Sequence, residues 1–374
     1  MKASFEKLAV AAIFLASAAL PALSQSDIVR SIYNSSASVP TNIEGIRTFA
    51  APPADFNPMT AAPETLAMYG FPQRPDAAAD PHSFVSWQRA MSHAKKQVNN
   101  TQLKLHPEAV LGPMKLSAKQ PVAAAAKAGE ATPSQFGSTN WSGFANSNKL
   151  TKWNASSSFD KVFSEFNTPV VDQTFGTCNP IEWEVTWNGL DGAFDGTVLQ
   201  GGSSSQSFCK NGTVTASYFA WIEWYPSYPI VEVYGINPGD DIYVNTYSTQ
   251  GGCNPGFVYI EDETTLSFGT YQLTWKNGPC LVGNSAEFIV ERPFGDSSHS
   301  SGFYALANYI WDFALSWDYT GKGVESGPGS TAASNLQFSM LDDAGDQVIS
   351  QATSEGKYSI FVADTGCAYT GGCK

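Results

Sequence analysis

AEFIVERP, residues 286–293, sets two carboxylates four positions apart inside a run that reads as a strand. In a strand, Glu287, Ile289 and Glu291 share one face, and Phe288 and Val290 take the other. Strand interiors disfavour glutamate, and Phe, Ile and Val call for at least partial burial. Two acids on one face therefore mean that the face is wet or that one of them has chemistry to perform.

The same texture extends outward from this stretch. From about Ser138 the chain is built of short aromatic and β-branched runs, among them SYFAWIEWYP, DDIYVNTYS, GFVYIED, YQLTWKNG, FALSWDYTG and KYSIFVAD. Gly, Asn, Asp and Pro punctuate them about every 8–12 residues, with almost no helical periodicity, which predicts an all-β antiparallel sandwich or barrel. Residues 138–374 are enough to bury one large core as a single β domain.

All six cysteines (178, 209, 253, 280, 367 and 373) fall in this half, as expected of disulfides formed in an oxidising compartment. Pairing of sequence neighbours is expected: Cys178–Cys209, Cys253–Cys280 and Cys367–Cys373. No C-x-x-C or H-x-x-x-H spacing points to a metal. Residues 135–374 carry nine Lys and Arg against twenty-five Asp and Glu, a net charge of −16. So acidic a block is a poor nucleic-acid binder and is better tolerated at acid pH, although simple solubility also accounts for it.

The N-terminal part differs. Residues 1–24 read as a secretory signal peptide, with Lys2 and Lys7, the 13-residue apolar run LAVAAIFLASAAL, and small residues at Ala22-Leu23-Ser24. That run is short of the ~20 residues that span a bilayer, so the protein is expected to be secreted and not membrane-bound. Residues 25–137 are Ala- and Pro-rich and lack cysteine; up to residue 134 they hold ten basic against eight acidic residues. Within them DPHSFVSWQRAMSHAKKQVNN predicts an amphipathic helix, with Phe84, Trp87 and Met91 at helical spacing. The Ala-rich SAKQPVAAAAKAGEATPS reads as a linker or processing site. A basic segment ahead of an acidic domain is expected to be a propeptide that docks by charge; the alternative is a small domain that stays attached.

Most hydrolytic chemistries find no support. Past the N-terminal region His299 is the one histidine, in a Ser/Gly loop, and no G-x-S-x-G elbow precedes a helix. H-E-x-x-H is absent, and the cysteines read as paired. Asp364-Thr365-Gly366 matches the aspartic-protease tripeptide, but that chemistry needs two such aspartates. A turn closing the last strand is the expected reading. Carboxylates, amides and aromatics remain. Alternation puts Phe219, Trp221, Glu223 and Tyr225 on one face of SYFAWIEWYP and Tyr218, Ala220, Ile222 and Trp224 on the other. Trp183, Val185 and Trp187 share a face leading to Asp191, and Gln200 precedes two glycines. Aromatics beside a few polar groups on one sheet face describe either a substrate groove or ordinary core.

In order along the chain, NWSGFANS, WNGLDG with TVLQGG, AWIEWYP, INPGDDI and AEFIVE resemble the eqolisin family of glutamic peptidases, strongly over residues 138 to about 295 and more loosely beyond. The resemblance implies a lectin- and glucanase-like jelly roll of two antiparallel sheets, preceded by a partly helical propeptide, and an acid-acting secreted endopeptidase. It carries the catalytic pair onto Gln200 and Glu291, with Glu287 as a structural neighbour. The substrate groove carries over as Trp141, Trp187, Asp191, Trp221, Glu223 and Tyr225. Ser204 departs from some members, which have an acid at that place, a departure that bears on subsite preference.

Amide hydrolysis needs a base for water, a donor for the oxyanion and an acid for the leaving amine, and a Glu/Gln pair supplies all three without metal or cofactor. The expected partners are a polypeptide substrate and the chain's own propeptide, with a monomer as the default and no nucleic acid or membrane. Two alternatives use the same residues: a glycoside hydrolase on a similar sandwich with Glu223 and Glu291 as its carboxylates, and a non-catalytic binding sandwich.

Overall fold

Alternating runs become strands in the computed structural model, which describes residues 38–109, 111–118, 133–148, 150–171, 182–293, 309–311, 313–318, 327, 334–342 and 344–364. They assemble into two sheets, almost wholly antiparallel. From one edge to the other, the larger runs Tyr309–Trp311, Ile360–Asp364, Val348–Ser354, Ser334–Leu341, Trp141–Ser147, Ser285–Glu291, Glu182–Leu190, Val198–Lys210, Thr213–Tyr225, Ile230–Gly235 and Lys104–His106. The smaller runs Ser38–Pro40, Ile46–Phe49, Ser267–Leu273, Gly256–Asp262, Asp241–Ser248, Phe159–Asn167 and Phe313–Asp318. The expected sandwich is borne out.

Alternation sets which side chains meet between the sheets. Phe144, Leu190, Leu199, Ala220, Ile222, Trp224, Ala286, Phe288 and Val290 of the larger sheet pack with Val162, Phe166, Ile242, Val244, Val258 and Ile260 of the smaller. The opposite face of the larger sheet gathers Trp141, Val185, Trp187, Phe219, Trp221 and Ile289 into a second apolar cluster. Both central strands thus split their residues as their period-2 pattern predicts.

The described N-terminal residues are built into the sandwich more deeply than their composition implied. Ile46–Phe49 pairs with Ser267–Leu273 at one edge of the smaller sheet, and Lys104–His106 pairs with Ile230–Gly235 at an edge of the larger. The expected helix is Pro81–His93; it lies on the outer face of the smaller sheet, where Trp87, Ala90 and Met91 join Phe163, Tyr243, Tyr259 and Phe268. Phe84 departs from the expected stripe. It is only half-buried, while Ser83 and Ser86 are buried. Small residues suit this position because Ser86 Oγ donates to Glu165, 2.5 Å away, and Arg89 pairs with the same carboxylate.

The expected Cys253–Cys280 disulfide is present. Cys178, Cys367, Cys373, the Cys209 side chain, His299, Thr365-Gly366 and the segment read as a signal peptide lie outside the described residues, and Asp364 ends the strand Ile360–Asp364. Among the described residues no helix is long and apolar enough to cross a membrane.

Candidate active site

Glu291 ends its strand opposite Trp141 on one side and Val185 on the other, and is fully buried. Asn140 Nδ2 donates to its Oε1 at 3.0 Å and Trp187 Nε1 to its Oε2 at 3.1 Å. Burial dominates its electrostatics and pushes the carboxyl up to about 8, against the pull of the Asn140, Trp187 and Gly112 donors and of the Lys115 ammonium.

Gln200 pairs in register with Glu223, and its Nε2 donates to the Glu223 carboxyl. Glu223 is also fully buried; desolvation raises it well above the ordinary carboxylate range, and the charge of Glu291 raises it further. In strand register Gln200 stands opposite Gly189, whose other neighbour is Glu287, while Glu291 stands opposite Val185, whose other neighbour is Ser204. Gln200 Oε1 has no partner among the described residues, leaving one acceptor open beside these acids. The glycines after Gln200 have a packing reason. A Cβ on Gly202 would sit 1.9 Å from the Thr186 carbonyl oxygen, so only a bare position lets the strand lie between Trp187 and Trp221.

The tryptophans form the walls. Trp141 meets Trp187 edge to face at 5.1 Å, and Trp221 Nε1 donates to the Ser203 carbonyl at 2.9 Å. Ser204 Oγ accepts from Trp183 Nε1 at 2.7 Å, so the residue that replaces an acid in the family pattern ties down another indole.

Asp191 sits at φ 67° and accepts backbone N–H groups from Val282, Gly283 and Asn284 at 2.5, 3.0 and 2.7 Å. Burial, then Asp195, raises it to about 7 despite those three donors. Its place is to hold the loop that leads into the Glu291 strand. Glu287 lies near it, raised well above the ordinary range by burial, with Asp191 and Asp195 adding to the effect.

The occupant of the face is the chain itself. Residues 111–118 form a strap across it. Leu111 is buried in the tryptophan cluster, and Ala109, just before, is buried with it. Asn140, which donates to Glu291, also donates to the Pro113 carbonyl at 3.4 Å. Met114 N donates to the Gly192 carbonyl at 3.1 Å, Lys115 N to Asn140 Oδ1 at 2.9 Å and Ser117 N to the Gly137 carbonyl at 2.8 Å. The half-buried Tyr225 flanks Gly112. Farther along the same segment, His106 stacks on Phe219 at 4.8 Å and bridges Glu108 and Glu232, each at 2.8 Å.

Asn140, Gly112 and Lys115 escaped the sequence reading. Asn140 stands directly before Trp141 in a recognised block, yet an asparagine there carries no signal of its own. The strap follows a stretch that binary patterning does not distinguish from loop.

The Peptidase A4 family model matches residues 139–362. No curated protein matches the chain. Among solved structures, Scytalido-glutamic peptidase bound to a peptide-based transition-state analogue is similar at 20% identity and a TM-score of 0.47, covering 61% of this chain and 98% of that one. SCP-B, an eqolisin-family peptidase in complex with the tripeptide Ala-Ile-His, is similar at 20% identity and a TM-score of 0.46, with the same coverage of 61% and 98%. Aspergilloglutamic peptidase from Aspergillus niger is similar at 23% identity and a TM-score of 0.39, covering 49% of this chain and 99% of that one. The family match spans more than half of the chain and contains Trp141, Gln200, Glu223 and Glu291, so the chain belongs to the Peptidase A4 family, the eqolisin-type glutamic endopeptidases whose sequence blocks its own resemble.

Proposed function

We propose that the protein is a secreted acid endopeptidase made as a zymogen, with Glu291 and Gln200 as its working pair and residues 25–137 as its propeptide. The observation that carries this reading is the strap. A segment of the chain's own backbone lies on a tryptophan-walled face, with Leu111 in the tryptophan cluster and Lys115 N and the Pro113 carbonyl bonded to Asn140, which itself donates to Glu291.

In the released enzyme, Glu291 takes a proton from water as it attacks the substrate carbonyl carbon. Gln200 Nε2 donates to the oxyanion, and Glu291 then passes the proton to the leaving nitrogen. The strap opposes this twice. It covers the face, and its burial of Glu291 keeps the proton on the carboxyl up to about 8, so the group cannot serve as a base. Removing the strap returns water to the face and lets the carboxyl fall towards its ordinary value of about 4.3, which makes the base form available in acid.

Glu291 therefore does not drive release, since a raised pKa favours the strap-bound form as pH falls. The rim has the opposite sign. Glu232 is held below its ordinary value first by His106 and then, against partial burial, by Lys104, so its contacts are present above about pH 4.5 and fade as pH falls through the lowered value. Glu165 and Glu263 pair with Arg89 under the helix, but Glu263 is raised by burial despite that pairing and so shares the sign of Glu291. Glu232→Gln is expected to let the full-length protein activate a few-fold faster at about pH 5–6, the scale of a partly exposed ion pair. Activity onset after preincubation at each pH measures this, and an unchanged onset would place release elsewhere.

Asn140→Ala should lower activity about tenfold and shift the limb of the kcat/KM profile that reports Glu291 to higher pH, because it removes a donor to the charged form. A fall in activity with no shift would mean a merely structural asparagine.

The reading itself is tested by digesting denatured casein or haemoglobin between pH 2 and 7 after acid incubation, with pepstatin present. Pepstatin-resistant digestion peaking in acid supports it. Absence of digestion by a folded, processed sample refutes it.

A further inference from the structure

We propose that the N-terminal region divides when the enzyme is released in acid: residues 38–103 stay docked on the catalytic domain as a second, non-covalent chain, and residues 104–118, with the strap, leave. This rests on the zymogen reading above and narrows what is removed.

The first part is built into the smaller sheet. Ile46, Arg47 and Thr48 stand in register with Leu273, Gln272 and Tyr271, and Lys96 and Gln97 pair in parallel with Ser267 and Phe268. The strand Ser267–Leu273 thus takes an outer neighbour at each end. Lys96 N and Val98 N donate to the Leu266 and Phe268 carbonyls at 2.8 and 2.7 Å, and Thr274 N donates to the Gly45 carbonyl at 2.8 Å. Phe49, Leu66, Phe71, Trp87 and Met91 are each 2% exposed or less, and they cover Tyr243, Tyr247, Phe257, Tyr259 and Phe268. Undocking would return all of these aromatic rings to water, a loss that non-covalent attachment alone does not bring about.

Asn42 marks where this body ends. Its N–H donates to the Thr101 carbonyl at 2.8 Å, its Nδ2 donates to the Leu103 carbonyl at 2.9 Å, and Leu103 N donates to its Oδ1 at 2.8 Å. Leu103 is buried in the main core, whereas Lys104 and Leu105 are exposed. From there to residue 118 the buried apolar side chains among the described residues are Ala109 and Leu111. The remaining hold is polar.

Acid acts on the two parts with opposite sign. Under the helix, Glu165, Glu261 and Glu263 face Arg89, His93 and Lys95; Tyr259 donates to Glu261 at 2.6 Å, and Tyr243 and Asp241 stand close by. Burial raises Glu261 and Glu263, so docking favours their protonated forms. That contribution is complete below their ordinary value of about 4.3 and is lost as pH rises through the raised values. The Arg89 ion pairs weaken in acid, but Arg89 is exposed and such pairs count for little beside the apolar contact. At Lys104 and His106 the balance is reversed. Glu232 is lowered chiefly by His106, which also meets Glu108, so that hold fades as pH falls.

The test uses the full chain carrying Glu291→Gln, to keep self-digestion out, with sites for a sequence-specific protease inserted between Leu103 and Lys104 and between residues 118 and 133. Elution of the uncut protein as one peak at pH 7.5 and pH 4 checks that the insertions keep the fold. After cleavage at pH 7.5, gel filtration at pH 4 with mass spectrometry of each fraction is expected to find the piece ending at Leu103 with the catalytic domain in equimolar amount. The piece beginning at Lys104 should elute late, as free peptide. Both pieces leaving would overturn the division while the zymogen reading stands. Both staying would overturn it together with that reading.

Discussion

Glu291→Gln in acid-processed enzyme is expected to lower kcat on denatured casein near pH 4 by about 10²–10⁴-fold, the range for removing a positioned acid–base group. The substitution keeps the side chain's shape but cannot take a proton from water or return one to nitrogen. It also sets an amide NH₂ against one of the two donors, Asn140 or Trp187, that now meet the carboxyl, so a modest loss of stability should accompany it. Gln200→Ala tests the other half. Loss of one oxyanion donor costs about 10²–10³ in rate, with substrate affinity changing far less. It also leaves Glu223 without its amide partner. Because Glu223 and Glu291 are the carboxylates a glycoside hydrolase would use, Gln200→Ala separates the readings. Peptidase activity that survives in this variant would move the chemistry off the pair, and polysaccharide hydrolysis that survives would favour the glycosidase.

The second large effect is on stability. Thermal unfolding temperature is expected to be highest near pH 3–5 and to fall steadily towards pH 8. Asp191 is raised to about 7, and Glu223, Glu261 and Glu287 stand well above their ordinary values, each chiefly through burial. A carboxyl with a raised folded pKa contributes stability that is complete below its unfolded value of about 4. That contribution is lost as pH rises through the folded value. Over that window each group still protonated in the fold removes about 1.4 kcal/mol per pH unit. Three such groups acting together would remove most of an ordinary domain's stability, about 5–15 kcal/mol, within two or three units. Glu287→Gln keeps a neutral side chain of the same shape and should flatten the dependence by about one group's share. Urea midpoints at pH 4, 5.5 and 7 measure this, and a profile as steep in the variant as in the wild type would exclude Glu287.

The faces of the two central strands were legible because their alternation is strict and burial differs sharply between sides. Phe288 and Val290 against Glu287 and Glu291, and Ile222 and Trp224 against Trp221 and Glu223, could be assigned from period 2 alone. The sandwich followed from many such runs. The Cys253–Cys280 pair was legible from proximity in sequence. Asp191 was not, because an aspartate that lines a groove and one that holds a loop through three backbone N–H groups look alike until the loop is placed. Nor was the insertion of the N-terminal strands legible. Ser38–Pro40, Ile46–Phe49 and Lys104–His106 are three or four residues long, too short for a period to register. Ile46–Phe49 and Lys104–His106 also find partners more than a hundred residues away in sequence.

Those short strands bear on how the molecule is made. Ser267–Leu273 and Ile230–Gly235 border the two sheets, and each finds its outer neighbour in chain synthesised long before it. The helix over Tyr243 and Tyr259 is likewise made first. The early segment therefore serves as a mould already waiting when the β domain emerges, pairing with the amides of those two borders. Cutting the segment away after folding and omitting it from the start are then different events. The first leaves a finished sandwich with newly bared borders; the second asks those borders to form unguarded, at the stage where a large antiparallel domain is slowest to close.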